Sequence, residues 1–368
     1  MIRVPHFLFW LLFLIFFAVF IHAVSGVLLP FVVGILVAYF LDPIADKMEE
    51  ANCPRGLAAF SIVALFVAIV ATGAALLIPV IVDQTTTLVT KIPVYIDLFH
   101  SKIEPRIMHM FERIDPTAVE QVRVKAAEYS TKVIGMSSDL LGRAWTSGLA
   151  ILNIFSLIFI SPIVAFYMLK DYDHMVAKVD SYLPRKHAKT IREQLLLMDE
   201  KISGFVRGQT NVCIILGVFY AVGLSIVGLD FGVLIGLMTG ALSFIPYLGM
   251  LCGTVTGLSV AYFQYDGGLS SIMTVAAVFA VGQFLEGNFI APKLVGESVG
   301  LHPVWIIFAL LAGGALMGFT GILIAVPFAA IIGVLVRFFL QQYKHSTLYQ
   351  IPEVDLVIKN PKPRRRKK

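Results

Sequence analysis

The chain has 368 residues, of which 58% are hydrophobic and only 14% are charged, and its mean hydropathy is +0.85. Soluble domains carry about 25% charged residues, so this composition excludes a water-soluble globule, a disordered chain and a disulfide-stapled secreted module. The net charge of +5 comes from residues 344–368, which contain eight basic and two acidic residues. A basic tail after a membrane helix is typical of a cytoplasmic anchor to anionic lipid, and it argues against nucleic acid as a partner.

Apolar runs follow one another along most of the chain. A membrane crossing needs about 20 apolar residues, so there is material for about eight membrane segments. In chain order, the runs lie at residues 7–24, 26–41, 57–82, 146–169, 210–228, 232–263, 269–289, 303–317 and 321–340. We therefore predict an all-α, polytopic membrane helix bundle with about eight membrane segments. One of them is a broken or re-entrant hairpin, and an amphipathic helical insertion lies outside the membrane.

Polar stretches divide the chain into six predicted segments. These are N-terminal membrane helices at 1–82, an extracytoplasmic amphipathic insertion at 83–145, a membrane helix at 146–169, a cytoplasmic helical segment at 170–208, a C-terminal membrane core at 209–343 and a basic cytoplasmic tail at 344–368. Lysine and arginine favour alternate loops, which predicts that both termini are cytoplasmic and that the chain turns at Ser25 on the outside. Apolar residues in the insertion repeat at helical spacing, and its helices can pack on each other or on neighbouring protomers. Arg207 and Gln209 are expected to anchor the membrane core at the interface.

The segment at 232–263 is interrupted in its middle by a proline and a glycine. Pro246 removes a helical donor and Gly249 weakens the helix further, so we predict two short helices with Pro246, Tyr247 and Gly249 as hinge or gate. Glycines recur every fourth residue on both arms, at Gly232, Gly236, Gly240, Gly249, Gly253 and Gly257. Such glycines let two helix backbones approach closely. They indicate either tight static packing or a movable hairpin whose thin arms line a path.

A polar cluster follows at the end of the segment at 269–289. Its members are Gln283, Glu286, Asn288, Pro292 and Lys293. Gln283 and Glu286 are three residues apart and share a helix face. A carboxylate inside a membrane is costly unless it is paired or faces water. Glu286 is therefore expected either to contact a solute or an ion, or to pair with Lys293 or Arg337 at the interface.

Motifs of enzymes and metal sites are missing from the sequence. Residues 296–300 fit the G-x-S-x-G pattern, but they lie in a short loop between membrane helices rather than in the strand-to-helix turn that a nucleophilic serine needs. No Walker A or HExxH sequence is present, and the three cysteines form no CxxC pair. We therefore expect no enzymatic activity, no cofactor, no metal and no use of ATP.

Several stretches are similar to those of a known family. They are LVAYFLDP at 36–43, PRG at 54–56, RGQ at 207–209, YAVGL at 220–224, FIPYLG at 244–249, NFIAPKLVG at 288–296, VGLHP at 299–303, GFTG at 318–321 and AVP at 325–327. In order and spacing they resemble the bacterial autoinducer-2 exporter family, also described as PerM-like permeases. Met250 departs from the pattern, because the family usually has proline or a small residue there.

The resemblance implies a homo-oligomeric, multipass transporter of a bacterial inner membrane that exports a small polar signalling molecule of the autoinducer-2 type, as in quorum sensing. Some relatives are described as sodium(lithium)/proton antiporters. Three functions stay open. The first is a permease with Gln283, Glu286, Asn288 and Lys293 along the solute path and Pro292 as part of the gate. The second is an antiporter in which Glu286 exchanges protons for a monovalent cation, and the third is an oligomeric scaffold without transport.

Overall fold

The computed structural model describes residues 6–98, 101, 148–265, 267–296, 300–346 and 349, and it has no strand among them. The helices are α1 His6–Glu50, α2 Arg55–Leu98, α3 Gly148–Ser181, α4 Ala188–Ile226, α5 Gly232–Leu242, α6 Leu248–Gln264, α7 Leu269–Leu285, a π-helical turn Glu286–Ile290, α8 Ala291–Leu294 and α9 Pro303–Lys344. Within these ranges, six helical stretches are long and apolar enough to cross a membrane. The predicted polytopic all-α bundle is thereby confirmed.

The α1 helix corrects the prediction for the first two apolar runs. A turn is predicted at Ser25, but one helix continues through that position from His6 to Glu50. A serine beside one glycine, with apolar residues on both sides, does not provide the polar loop or the proline that ends a helix. Without the turn, loop charges no longer fix the side on which the N-terminus lies, and its cytoplasmic location stays a prediction.

The predicted insertion at 83–145 is described only in its first part. The α2 helix continues past Val82 to Leu98. At about 66 Å it is roughly twice as long as the hydrocarbon core of a bilayer, so one end projects beyond the membrane. Residues 102–147 and the basic tail from 350 onward lie outside the described residues, and the packing of the insertion and the lipid contact of the tail stay predictions.

The α4 helix lies at the centre of the described part. Its second half packs with α5, α6 and α7 around Leu216, Tyr220 and Phe279, and its first half packs on α9 through Phe205 and Val326. A separate apolar cluster joins α1, α2 and α3. The outer faces of the helices carry many exposed large apolar side chains, which lipid would cover.

The predicted break in the segment at 232–263 is confirmed. The α5 helix ends at Leu242 and α6 begins at Leu248, and we call residues 243–247 the hairpin tip. The two arms are about 16 and 25 Å long, each shorter than the ~30 Å hydrocarbon core.

The other ends of the two arms meet, and we call residues 227–234 and 263–265 the hairpin base. The side chain of Gln264 accepts a hydrogen bond from the amide of Asp230 at 2.7 Å and donates one to the carbonyl of Gly228 at 2.8 Å. The hairpin therefore starts and returns at the same end of α4.

Glycines place α5 directly on the backbone of α4. A methyl group on Gly236 would overlap the backbone of Ala221, and one on Gly240 would overlap the backbone of Gly217. Gly232 also lies against the α4 backbone. Because no side chain separates the two helices, the contact fixes both their distance and their register.

The glycines of α6 serve the next layer of helices. A methyl group on Gly253 would overlap the side chain of Thr239 on α5, and one on Gly257 would lie 2.6 Å from the ring of Phe279 on α7. The α6 helix is therefore packed between α5 and α7.

A second tight hairpin lies within α9. Gly318 has φ 60° and ψ −139°, which breaks the helix at the boundary predicted between the last two apolar runs. The backbones of Gly313 and Gly321 touch across the bend. Residues 303–317 and 319–344 are therefore two arms folded against each other.

Arg55, at the start of α2, joins this helix to the end of α1 and to the middle of α3. Its guanidinium group binds Asp42 at 3.0 Å, Asp46 at 2.6 Å and Glu49 at 2.9 Å, and its Nε donates to the carbonyl of Leu169 at 2.9 Å. Only 13% of the Arg55 side chain is exposed. One cation thus binds three carboxylates at once.

The network continues to α4. Arg207 pairs with Asp42 at 3.5 Å and donates to the carbonyl of Tyr39 at 3.0 Å. Asp199 of α4 accepts the hydroxyl groups of Tyr39 at 3.0 Å and Tyr172 at 2.8 Å. We call these residues together with the Arg55 cluster the charged network, and it connects α4 to the three N-terminal helices.

We predict that Gly236→Ala lowers the free energy of unfolding by about 1–3 kcal/mol, because the added methyl group forces α4 and α5 apart. Gly73→Ala on α2 is the control, since nothing lies within 4 Å of a methyl group there, and alanine favours a helix. Thermal unfolding of the purified protein in detergent measures both. Equal midpoints for the two variants would contradict the packing described here.

We predict that Arg55→Met destabilises the protein by about 2–4 kcal/mol, because three carboxylates lose their cation and a carbonyl loses its donor. Arg192→Met is the matched control. Arg192 pairs with Asp180, but the two side chains are 55% and 37% exposed, so its loss should cost about 1 kcal/mol or less. Chemical denaturation followed by circular dichroism distinguishes the two, and a similar small loss in both would show that the charged network contributes little.

Candidate functional site

A cavity of about 570 Å³ lies between the hairpin tip, α4 and the end of α7. Its lining residues are Gln209, Ser243, Pro246, Tyr247, Gly249, Met250, Gln283, Glu286, Gly287, Ala291, Pro292, Val295 and Gly296. The structure therefore brings together the broken hairpin and the polar cluster, which are far apart in the sequence.

Gln209 lines the cavity, whereas the sequence predicts an anchor at the membrane interface. It is buried, with 7% exposure, and its amide nitrogen donates to the carbonyl of Ser243 at 2.5 Å. Gly208 makes this placement possible, because a methyl group there would overlap the backbone of Leu294 on α8. A glycine directly before the glutamine is the sequence signal of this close approach.

Gln283 and Glu286 contribute polar side chains from the end of α7 to the cavity. The Oε1 atom of Gln283 is buried and has no hydrogen-bond partner in the described part of the chain. Glu286 is half-buried and pairs with neither Lys293 nor Arg337, the two partners considered from the sequence; the Nε of Arg337 instead donates to a carbonyl of its own helix. A buried polar group without a partner costs free energy, so both side chains suit a hydrophilic occupant of the cavity.

Glu286 also begins the π-helical turn that runs to Ile290. Pro292 has no amide hydrogen to donate to the carbonyl four residues earlier, and its ring would clash with that carbonyl. A wider turn relieves the clash, and such π-bulges are frequent at functional sites. Pro292, predicted as part of the gate, lines the cavity just beyond this turn.

Two predicted path residues are not among the lining residues. The Asn288 side chain is exposed and donates to the carbonyl of Phe284 on its own helix at 2.9 Å. Lys293 is exposed as well. Of the four predicted path residues, Gln283 and Glu286 contact the cavity, and Asn288 and Lys293 lie outside it.

The three predicted hinge residues of the tip all line the cavity. Tyr247 has φ 69°, a left-handed conformation that costs a non-glycine residue of order 1–3 kcal/mol, and its side chain is 61% exposed. Gly249 cannot carry a side chain, because a methyl group would lie 2.5 Å from the amide nitrogen of Ser243. The tip is thus both strained and tightly folded.

The polar groups of the cavity can bind a solute but form no arrangement for bond-breaking chemistry. They comprise one carboxylate, two primary amides and two hydroxyl groups, without a histidine, cysteine, lysine or arginine. In the residues that the structure describes, no group of three histidine, cysteine, aspartate or glutamate side chains could hold a metal ion. Such a set of donors and acceptors suits hydrogen bonding to a neutral polar molecule or contact with a cation.

Comparison with known proteins shows which family the chain belongs to. The family model described as "AI-2E family transporter" matches residues 11–341. The chain belongs to this family. The AI-2E family is a family of membrane transporters, which accords with the several apolar helices of a multi-pass protein.

Individual relatives cover most of the chain. YrrI of Bacillus subtilis is 29% identical over 327 residues, which is 86% of this chain and 88% of YrrI. PerM of Escherichia coli is 26% identical over 310 residues, or 84% of this chain and 86% of PerM. TqsA of Escherichia coli, named an AI-2 transport protein, is 22% identical over 313 residues, or 85% of this chain and 86% of TqsA.

The strain at the tip gives a prediction that separates the backbone from the ring of Tyr247. Tyr247→Gly and Tyr247→Ala both remove the ring, but only glycine adopts a left-handed conformation without strain. We expect Tyr247→Gly to be more stable than Tyr247→Ala by about 1 kcal/mol. Unfolding midpoints in the same detergent measure the difference, and a more stable alanine variant would show that the left-handed tip is not the native conformation.

Proposed function

We propose that the protein moves a small polar solute across the membrane without ATP, and that the solute binds in the cavity at the hairpin tip. The observation that carries the proposal is the Oε1 of Gln283, which has no hydrogen-bond partner among the described residues and lines one cavity with the carboxylate of Glu286. In lipid, an interrupted helix is tolerated only where it is buried in protein or lines a watery cavity. Transporters place substrate sites at such interruptions.

The size and chemistry of the cavity support a small solute. Pockets for small molecules have volumes of about 300–1,000 Å³, and this one is near 570 Å³. A molecule with several hydroxyl groups could donate to Glu286 and Gln283 and accept from the amide groups of the glutamines. The name of TqsA supports an autoinducer-2-type molecule as the solute.

The location and direction of transport belong to the same proposal. We place the protein in a bacterial inner membrane, with its basic tail on the cytoplasmic side against anionic lipid. The hairpin base then lies on the outside. Export would then carry the solute from the tip towards the base. Assembly into a homo-oligomer through the projecting helices is compatible with this arrangement.

A second candidate function is cation/proton antiport. It is favoured by one observation, the single carboxylate in a cavity without a basic lining residue. Glu286 would then bind a proton and a sodium or lithium ion alternately, and the neighbouring amide oxygens would complete the coordination of the ion.

We predict that Glu286→Gln lowers solute flux by about tenfold or more, because the solute loses a hydrogen bond to a charged group. Flux of autoinducer-2 into vesicles that contain the purified protein is the measurement. Glu200→Gln is the control with the same chemical change, since Glu200 is exposed on α4, away from the cavity. Its flux should equal that of the parent protein.

Each outcome of this experiment has a distinct meaning. Unchanged flux in Glu286→Gln at equal protein content would overturn the role of the cavity. Pulses of sodium or lithium, followed with a pH-sensitive dye, test the antiporter. Proton movement without solute flux would favour the antiporter over the permease. If the parent protein shows neither activity, the oligomeric scaffold is the function that fits.

A further inference from the structure

The α2 helix holds the hairpin base from outside the hairpin. The Nζ atom of Lys91 lies 2.5 Å from a carboxylate oxygen of Asp230, and the two side chains are 41% and 36% exposed. The same ammonium group lies 5.5 Å from the ring centre of Phe231. The pair therefore links α2 directly to the hairpin base.

Two further residues of α2 contact the base. The Oε1 of Gln84 accepts a hydrogen bond from the amide of Leu234 at 2.9 Å. That amide belongs to the first turn of α5, where helix amides lack partners within their own helix, and the residue before α5 provides no side-chain cap. The ring of Tyr95 stacks on that of Phe263 at a centre distance of 5.0 Å. Because Gln84, Lys91 and Tyr95 follow a spacing of seven and four residues, they lie on one face of α2 and contact both arms.

The base is also where the backbone of the hairpin is strained. Phe231, which precedes α5, has φ 63°, and a buried aromatic residue takes this conformation only when its surroundings hold it there. Gly228, with φ 76°, supplies the other left-handed residue of the turn. A strained residue therefore precedes each arm of the hairpin, Phe231 before α5 and Tyr247 before α6, and each can serve as a hinge.

We infer that Lys91 and Asp230 are positioning residues of a gate at the hairpin base. With the pair formed, α2 keeps the base closed and the tip against the cavity. When the pair separates, the base can move away from α2 about Phe231 and Gly228 while Gly236 and Gly240 keep α5 on α4, and the cavity becomes accessible from the base side. The inference rests on the proposed function, because the proposed function supplies the solute that such a gate would admit or release.

The exposure of the pair suits a gate better than a structural anchor. An ion pair exposed to this degree shifts an equilibrium by about fivefold or less. A contact of this strength can open and close readily. Arg55 differs, because it binds three carboxylates and only 13% of its side chain is exposed. Salt screens the exposed pair strongly, since the Debye length is only about 3 Å at 1 M.

The test measures access to the cavity and needs no transport. Cys53, Cys213 and Cys252 are first replaced by serine or alanine, and Met250→Cys, in the cavity lining, is added as the only thiol. Labelling by a membrane-impermeant maleimide is then timed in vesicles from each side. We expect Lys91→Gln and Asp230→Asn each to accelerate labelling from the base side by about two- to fivefold.

Three controls make the result decisive. The swap Lys91→Asp with Asp230→Lys should return labelling to the slow parental rate, which a merely damaged protein would not do. Arg192→Gln, which breaks an equally exposed pair elsewhere, should leave the rate unchanged. High salt should accelerate labelling in the parent but not in Lys91→Gln.

The outcomes separate this inference from the proposed function. Unchanged labelling in both single variants, or equal acceleration in Arg192→Gln, would overturn the gate even if solute flux is present. Accelerated labelling that the charge swap reverses would support the gate even if no solute flux is found, and the failure would then lie with the proposed solute. If the swap does not restore the slow rate, the pair acts only through folding and the inference is wrong.

Discussion

The α5 helix is held on α4 by backbone contact at Gly236 and Gly240, with no side chain between the two helices. A helix of eleven residues is about 16 Å long and cannot cross a bilayer, so its depth is decided by what it packs on. The glycines set that depth. They place the tip beside Gln209, about 25 Å from the end of α4, and leave the base beside residues 84–95 of α2. The cavity and the base contacts both follow from this one register.

The cavity forms where two helices fail to complete their hydrogen bonds. Pro246 lies in the break between α5 and α6, and Pro292 forces the π-helical turn after α7. Both interruptions line the same cavity. The carbonyl group of Ser243 and the side-chain amides of Gln209 and Gln283 are gathered there. Gln209 satisfies one of these groups through Ser243, and Gln283 is left without a partner. A membrane protein that keeps such groups at this depth bears an energetic cost, and binding of a polar solute would offset it.

Local features of the sequence were enough to predict the parts of the site that depend on local chemistry. The break follows from Pro246 and Gly249, and the tight packing of its arms follows from glycine spacing. The shared face of Gln283 and Glu286 follows from helix geometry. Lys293 illustrates the limit. Seven residues after Glu286, it would share the same face in a regular α-helix, but the extra residue of the π-turn rotates the chain, and Ala291, Pro292 and Val295 face the cavity instead. Gln209 and the continuous α1 helix were missed because each depends on neighbours distant in the sequence or on the absence of a helix-ending signal at Ser25.

The two ends of the hairpin are held in contrasting ways. At the tip, Gln209 is two residues from Arg207, which binds Asp42 and so belongs to the charged network of α1, α2 and α3. At the base, Gly232 lies on the backbone of α4, and a single face of α2 adds one exposed ion pair, one amide hydrogen bond and one ring stack. Separating Arg55 from its three carboxylates would leave a shielded guanidinium group unpaired, whereas a pair in which both side chains are exposed exchanges readily with water. The wall of the cavity formed by α4 is therefore the fixed side, and the contacts between α2 and the hairpin base are the ones that can open.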